Sequence, residues 1–282
     1  MKKRIFYTLI IVFTLISLSG CMFLFRDKHT ENNVITKKID VGSITVEDLQ
    51  TLVQETIAKV ENTVIAITYT EGVFPQTTSL GSGVIIERHT VLKDPTKPEA
   101  DDNIDYYDYL VVTNRHVVMY KTRLARNLKV YLGNVDLSID ASCVYYDRNV
   151  DLALVNFKST VYLPVALIGD STTLKKGSFA IALGNPYDLS FYSSATFGIV
   201  SHPLRYLTDD IFNSTSTKEN VYIQHDVAIN SGNSGGGLFD IYGNLIGINT
   251  MKIIGQDNDI ENMGFSIPSE TVKQIVAKYK AQ

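Results

Sequence analysis

Cysteine occurs only twice in the 282 residues, at Cys21 and Cys143, so a disulfide-stapled scaffold is excluded as soon as either has another role. The five histidines are scattered, and with so few cysteines they form no zinc-ligand spacing. Basic clusters are missing beyond the N-terminus and the net charge is −4, which removes the electrostatic basis for nucleic acid as a partner. Internal repeats and strand–helix alternation are absent too, which argues against solenoids and parallel sheets. Apolar residues are not lacking. At 45% they suffice for a sizeable core and exclude disorder as the dominant state.

Met1-Lys2-Lys3-Arg4, followed by an uncharged run from Ile5 to Leu18, is the basic and apolar signature of an export signal, so the protein is expected to leave the cytoplasm. Leu18-Ser19-Gly20-Cys21 then resembles the lipobox of bacterial lipoproteins, in which small residues admit the signal peptidase and the Cys21 thiol takes the lipid. The alternative is an uncleaved anchor, because Ile5 to Phe25 is 21 uncharged residues and about 20 span a bilayer. Both readings place the protein at the cell membrane facing the extracytoplasmic side. The lipid anchor is preferred, since Ser-Gly-Cys stands where a cleavage site should fall. Residues 1–21 are thus read as signal, 22–44 as a flexible polar tether and 45–282 as the folded domain.

Within that domain, Leu49, Leu52, Val53, Ile57 and Val60 recur at helical spacing behind a capping-box-like Thr45-Val-Glu-Asp48. Short β-branched and aromatic runs follow at Thr63–Thr70, Gly83–Ile86, Tyr109–Thr113, Leu128–Leu132, Cys143–Tyr146 and Leu152–Phe157. A second series lies at Phe179–Leu183, Ser194–Ser201, Val221–Gln224, Gly237–Asp240, Leu245–Met251 and Gly264–Ile267. Six strands and then six predict two all-β barrels, at about residues 60–160 and 175–268, closed by a helix over 269–280 that Ser269 is placed to cap. The polar stretch from Arg88 to Asp108 reads as an acidic surface loop, and Cys143 as a buried, inert thiol.

Three segments carry chemistry. In Asn230-Ser-Gly-Asn-Ser234-Gly-Gly-Gly, glycines let the backbone turn tightly around a serine, and the amides of Gly232 and Ser234 are candidate donors to an oxyanion. A serine hydroxyl needs a base, and Tyr109-Leu-Val-Val-Thr-Asn-Arg-His116 ends an apolar strand in one. Val150-Asp151-Leu-Ala-Leu supplies an acid at the head of another strand, preferred over Asp147, whose Tyr-Asp-Arg-Asn context reads as a turn. The order His, Asp, Ser is that of the chymotrypsin type and neither that of α/β-hydrolases nor that of subtilisins. His29, His89 and His202 read as solvated, and His225 as a structural strand histidine.

Thr-Asn-Arg-His116, Asp151-Leu-Ala-Leu, Gly184-Asn-Pro186, Phe197-Gly-Ile-Val-Ser201, Ile223 to Asn230, Gly232-Asn-Ser234-Gly-Gly, Leu245-Ile-Gly-Ile-Asn249 and Gly264-Phe-Ser-Ile-Pro268 follow one another as in the HtrA (Deg) family of trypsin-like serine proteases, which the chain resembles over about residues 50–280. The resemblance implies an all-β, trypsin-like double six-stranded barrel. It implies His116, Asp151 and Ser234 as triad, with Gly232, Asn233 and Ser234 lining the oxyanion hole. It further implies unfolded proteins or peptides as substrates, no cofactor or metal, and a homotrimer as the assembly common in that family. The chain departs from the family at Ser231, Gly237 and His225, and the sequence ends at Gln282 with no PDZ domain after the helix.

In trypsin-like barrels the specificity floor lies six residues before the nucleophile, here Ala228, which offers no charge for a basic side chain. With Ile229 narrowing the pocket and Ile248 and Asn249 in its wall, small and medium aliphatic side chains are expected to fit. An extended substrate is expected to pair with the strand around Ile248 to Thr250. A chaperone-like binding module and a dedicated maturation protease are the competing functions.

Overall fold

The computed structural model describes residues 45–72, 76–208, 219–254 and 259–282. The export signal, Cys21, the tether and His29 lie outside them. Strands β1 (Val64–Glu71), β2 (Thr77–Leu92) and β3 (Ile104–Thr113) form an antiparallel meander. A short 3₁₀ turn over Arg115–Val118 and a small hairpin, β4 (Met119–Tyr120) and β5 (Arg123–Leu124), lead to β6 (Leu128–Leu132), β7 (Leu137–Tyr146) and β8 (Ala153–Ser159). Pairing in the order β1-β2-β3-β8-β7-β6, with β6 returning to β1, closes the first barrel. Alternate residues of these strands, Ile65, Ile67, Ile85, Tyr109, Val111, Val130, Val155 and Phe157, fill its interior. Period-two burial is what β-branched alternation in the sequence encodes.

The two-residue β9 (Leu167–Ile168) precedes the second set: β10 (Phe179–Gly184), β11 (Ser194–Thr208), β12 (Glu219–His225), β13 (Gly237–Phe239), β14 (Asn244–Ile254) and β15 (Asp259–Pro268). The order β13-β10-β11-β12-β15-β14, with β13 also pairing β14, joins six strands in a ring, and β9 adds in parallel to the far edge of β14. Ala180, Ala182, Val200, Ile223, Ile229, Leu238 and Ile246 fill this interior.

A third apolar cluster, with Val84, Leu110 and Leu152 from one barrel and Leu183, Phe239 and Ile248 from the other, forms the seam between them. Each such side chain is worth about 1.5–3 kcal/mol when fully buried. The ion pairs Lys278–Asp147 and Lys280–Glu87, which link the last helix to the first barrel, are half-exposed at their lysines and contribute about 0–1 kcal/mol each. Apolar burial therefore holds the barrels in register, and the residues expected to form the triad lie where the two barrels meet.

Helix α1 (Val46–Val60) packs only through its C-terminal half: Val53, Ile57 and Val60 join the seam, while Val46 and Leu52 stay exposed. Thr56 Oγ1 and Lys59 Nζ donate to the carbonyls of Ile241 and Tyr242 at 2.7 and 2.8 Å, docking the helix on the turn before β14. Helix α2 (Ser269–Lys280) buries Val272, Ile275 and Val276. Ser269 does not cap it, contrary to expectation. Its hydroxyl donates to Gly169 O and accepts from Ser171 N, both at 3.1 Å, because these two backbone groups of the loop after β9 need partners.

The stretch from Arg88 to Asp108 is not a plain loop either. β2 and β3 continue through it as a paired hairpin, His89 opposite Asp108 and Val91 opposite Tyr106, leaving only 93–103 as the tip. Thr90, Val91, Ile104, Tyr106 and Tyr107 are good strand formers, and their pairing carries the hairpin past the barrel. Cys143 is a free thiol, half-buried in β7 and donating to Tyr145 O at 3.3 Å, with its pKa pushed up to about 11 by burial, so it is inert at neutral pH.

Candidate active site

β3 ends at Thr113, and the 3₁₀ turn that follows lifts His116 to the rim of the first barrel. The turn from β7 into β8 brings Asp151 beneath it: Asp151 Oδ2 lies 2.6 Å from His116 Nδ1, and Oδ1 accepts the His116 backbone N–H at 3.0 Å. Asn114 Nδ2 donates to Asp151 O at 2.9 Å, and Arg115 donates to Arg148 O at 2.9 Å, so both loops are cross-linked through main chain. Crowding around the half-exposed ring lowers the pKa of His116, but the charge of Asp151 and its hydrogen bond outweigh this and raise it above the ordinary histidine value.

Asp147 takes no part. Its carboxylate accepts the N–H groups of Asn149 and Val150 at 2.7 and 3.2 Å and meets Lys278 Nζ at 3.0 Å, which caps the turn and ties down α2.

Ser234 stands in the turn between β12 and β13. Gly232 and Gly235 adopt φ of +99° and +84°, and each is packed so closely that a Cβ would fall 2.3 Å from Asn185 O and 2.1 Å from Ser82 O respectively. Glycine is required there twice over, by dihedral and by space. The Asn233 N–H is bonded to Asn230 O at 2.9 Å, whereas the N–H groups of Gly232 and Ser234 have no acceptor among the described residues. Two of the three residues assigned to the oxyanion hole thus present an available donor, and Asn233 shapes the turn instead. Ser234 Oγ donates to Thr250 O at 3.0 Å.

Two residues that the motifs do not flag hold this arrangement. Ser82 of β2, fully buried, donates its hydroxyl to Gly232 O at 2.7 Å and its N–H to Ser234 O at 2.8 Å, and accepts from Asn185 N and Nδ2 at 2.9 and 3.0 Å. The first barrel thereby clamps the Ser234 turn of the second. Thr250 of β14 donates its hydroxyl to Asp151 Oδ2 at 3.2 Å while its carbonyl receives Ser234 Oγ, so one residue bridges Asp151 and Ser234. A buried serine in Gly81-Ser-Gly83 and a threonine after Asn249 are the only traces of these roles in the sequence.

The four residues expected around the specificity pocket are placed apart. Ala228 is exposed, its carbonyl accepting from Thr196 Oγ1 at 3.2 Å, because alternate residues of this segment face out while Val227 and Ile229 face in. Ile229 is buried beside Gly264. Ile248 is fully buried between Gly237 and Ile267 in the seam and lines no open surface. Asn249 faces the second barrel, where Nδ2 donates to Gly237 O and Oδ1 accepts from Ser266 Oγ, both at 3.0 Å. His225 Nε2 lies 2.9 Å from that same Ser266 hydroxyl, and burial pushes the histidine pKa down to about 4. Asn249 N and O are both bonded, to Gly236 O and from Gly235 N at 2.9 and 2.8 Å, so a substrate strand finds an edge of β14 only from Thr250 onward.

Among the described residues no group of His, Cys, Asp and Glu is arranged to hold a metal, and no helix is long and apolar enough to cross a membrane.

Two stacked barrels with a histidine, an aspartate and a serine at their junction define a trypsin-like peptidase, and the chain belongs to that family: the model of the trypsin-like peptidase domain matches residues 81–248. Among its curated relatives it is similar to the serine protease Do-like HtrA of Lactococcus lactis subsp. lactis (strain IL1403), 40% identical over 177 residues that cover 62% of this chain and 42% of that protein. It is also similar to the serine protease HTRA1B of Danio rerio, 36% identical over 171 residues covering 61% of this chain and 33% of that one. The match thus spans less than half the length of either relative. A solved structure of the HtrA-type protease AlgW with a tripeptide superposes with a TM-score of 0.59 at 27% identity, covering 79% of this chain and 62% of the other.

Proposed function

We propose that the protein is a serine endopeptidase that cuts unfolded or damaged polypeptides at the extracytoplasmic face of the membrane, tethered through a lipidated Cys21. The observation that carries the catalytic part is the His116–Asp151 bond of 2.6 Å at the rim where Ser234 sits with two unbonded backbone amides. Ser234 Oγ first rotates from Thr250 O toward His116 Nε2, the ring nitrogen that Asp151 does not use. Nε2 takes the hydroxyl proton as Oγ bonds to the substrate carbonyl carbon, and Asp151 stabilises the imidazolium. The carbonyl oxygen gains the negative charge and accepts from the N–H groups of Gly232 and Ser234. Collapse breaks the C–N bond, and Nε2 passes its proton to the leaving amine. Water then repeats the sequence on the acyl-enzyme and frees Ser234.

Substrate choice follows from shape. Only an extended segment can lie along the remaining edge of β14, which supports unfolded chains as substrates. The N-terminal Ser19-Gly20-Cys21 motif supports the tether. No metal or organic cofactor enters these steps.

Ser234→Ala tests the reading directly. Full-length protein is incubated with a panel of unfolded and folded proteins: wild type should degrade the unfolded members broadly and the variant none. Activity of the variant near wild type would remove Ser234 from the mechanism, and cleavage of a single panel member would favour a dedicated maturation enzyme.

A further inference from the structure

Beside the nucleophile turn, two cavities of about 450 and 510 Å³ share Tyr187 and Ser231 as a common ridge. The larger reaches Gly232 and is lined by Leu80, Leu189, Tyr187 and Asp188. Its position on the substrate path follows from the bonds of Ser234. On one side Oγ meets Thr250 of β14, whose remaining edge takes the acyl portion of a substrate; on the other the Ser234 carbonyl accepts from Ser82, two residues beyond Leu80. The chain that follows the cut bond must leave over Gly232 and Leu80, across this cavity.

Tyr187 is built in a costly way for an exposed residue. It is 84% exposed and has φ of +66°, which non-glycine residues seldom adopt. Its N–H is anchored to Ser231 O at 2.7 Å, and its ring meets Phe191 edge-on at 6.2 Å. Asp188, exposed, accepts the Ser190 hydroxyl and N–H at 2.6 and 2.9 Å on Oδ1, and these bonds hold its carboxyl below the usual range. No basic side chain lines the cavity among the described residues.

We propose that this cavity receives the second residue after the cut and selects lysine or arginine there. Side chains of an extended substrate alternate, so the residue before the cut and the second one after it both point into the surface. The methylene stem would lie along Tyr187, Leu80 and Leu189 while the cation meets Asp188. A glutamate in the same place would be repelled by that carboxylate and find no cation.

This inference rests on the proposed peptidase activity, and the experiment separates the two. Full-length protein in detergent is given peptides identical except for arginine, alanine or glutamate at the second position after the cut. The arginine-to-glutamate ratio of kcat/KM should be about fivefold at low salt, since exposed pairs are weak, and should shrink at about 1 M salt. Asp188→Asn, whose amide oxygen can still accept the Ser190 bonds, should bring the ratio near one, and Tyr187→Ala should lower it too. A ratio near one in the wild type, or one unchanged by Asp188→Asn, overturns the subsite while cleavage of the alanine peptide leaves the peptidase standing. No cleavage of any peptide or of unfolded protein overturns both.

Discussion

Replacing Thr250 by valine removes one hydrogen bond from the candidate site and almost nothing else. The hydroxyl donates to Asp151 Oδ2 at 3.2 Å, the same oxygen that His116 Nδ1 meets at 2.6 Å. Thr250 is 2% exposed and valine has nearly its shape, so packing is kept and the carbonyl that receives Ser234 stays in place. Hydrogen bonds to charged groups contribute about 1.5–3 kcal/mol. The length of this one, and the two donors that His116 still supplies to Asp151, put it at the low end. About 1.4 kcal/mol is tenfold in rate, so kcat/KM should fall about tenfold, mostly through kcat, because what is lost is the hold on the group that orients the base. Steady-state kinetics on a fluorogenic peptide read the effect, and a melting curve checks that the fold is retained. A kcat/KM within twofold of wild type would refute the bridging role of Thr250, and a loss of about a thousandfold would mean that the hydroxyl belongs to the triad itself.

Asp151→Asn should cost roughly 10⁴-fold in kcat by favouring the wrong tautomer of His116, whereas Asp147→Asn should leave kcat unaltered and lower the melting temperature by weakening the Lys278 link; kinetics and calorimetry on the two variants distinguish them. Because His116 must be neutral to accept a proton and its pKa is raised, kcat/KM should rise with pH to a midpoint above 6.5, and a midpoint below 6 would contradict the geometry. The same raised pKa means that protonated His116 stabilises the fold below its unfolded pKa, a contribution lost as pH rises through the folded value. His116→Ala should accordingly destabilise more at about pH 5.5 than at about pH 8.5, as read by urea denaturation.

Strand composition and alternation carried most of the architecture. Each of the twelve apolar runs corresponds to a strand, because a half-buried strand must repeat every two residues and the chain does so. The misreadings have physical causes. Arg88–Leu92 and Ile104–Asp108 pair across a hairpin of which Tyr107 alone is buried, so apolar alternation does not mark it. Ser269 lies where a cap belongs but is claimed by the backbone of a loop a hundred residues away, as the Gly169 bond shows. The expectation for Ala228 comes from its offset to Ser234 and that for Ile248 and Asn249 from their strand, and neither an offset nor a strand says which way a side chain faces.

By itself the sequence determined which groups can do chemistry and in what order: a histidine at a strand end, an acid heading another and a serine among glycines. Those are local facts, set by residue type and by the conformations glycine alone allows. Only the tertiary structure decided how they are held. Ser82 reaches Gly232 across 150 positions of chain, and Thr250 reaches Asp151 across 99. Neither residue carries a local signal, since a buried hydroxyl has meaning only through the partner that folding brings to it. The choice of Gly232 and Ser234 over Asn233 as available amides is of the same kind, because a backbone N–H is identical in every residue until the turn decides which of them is already bonded.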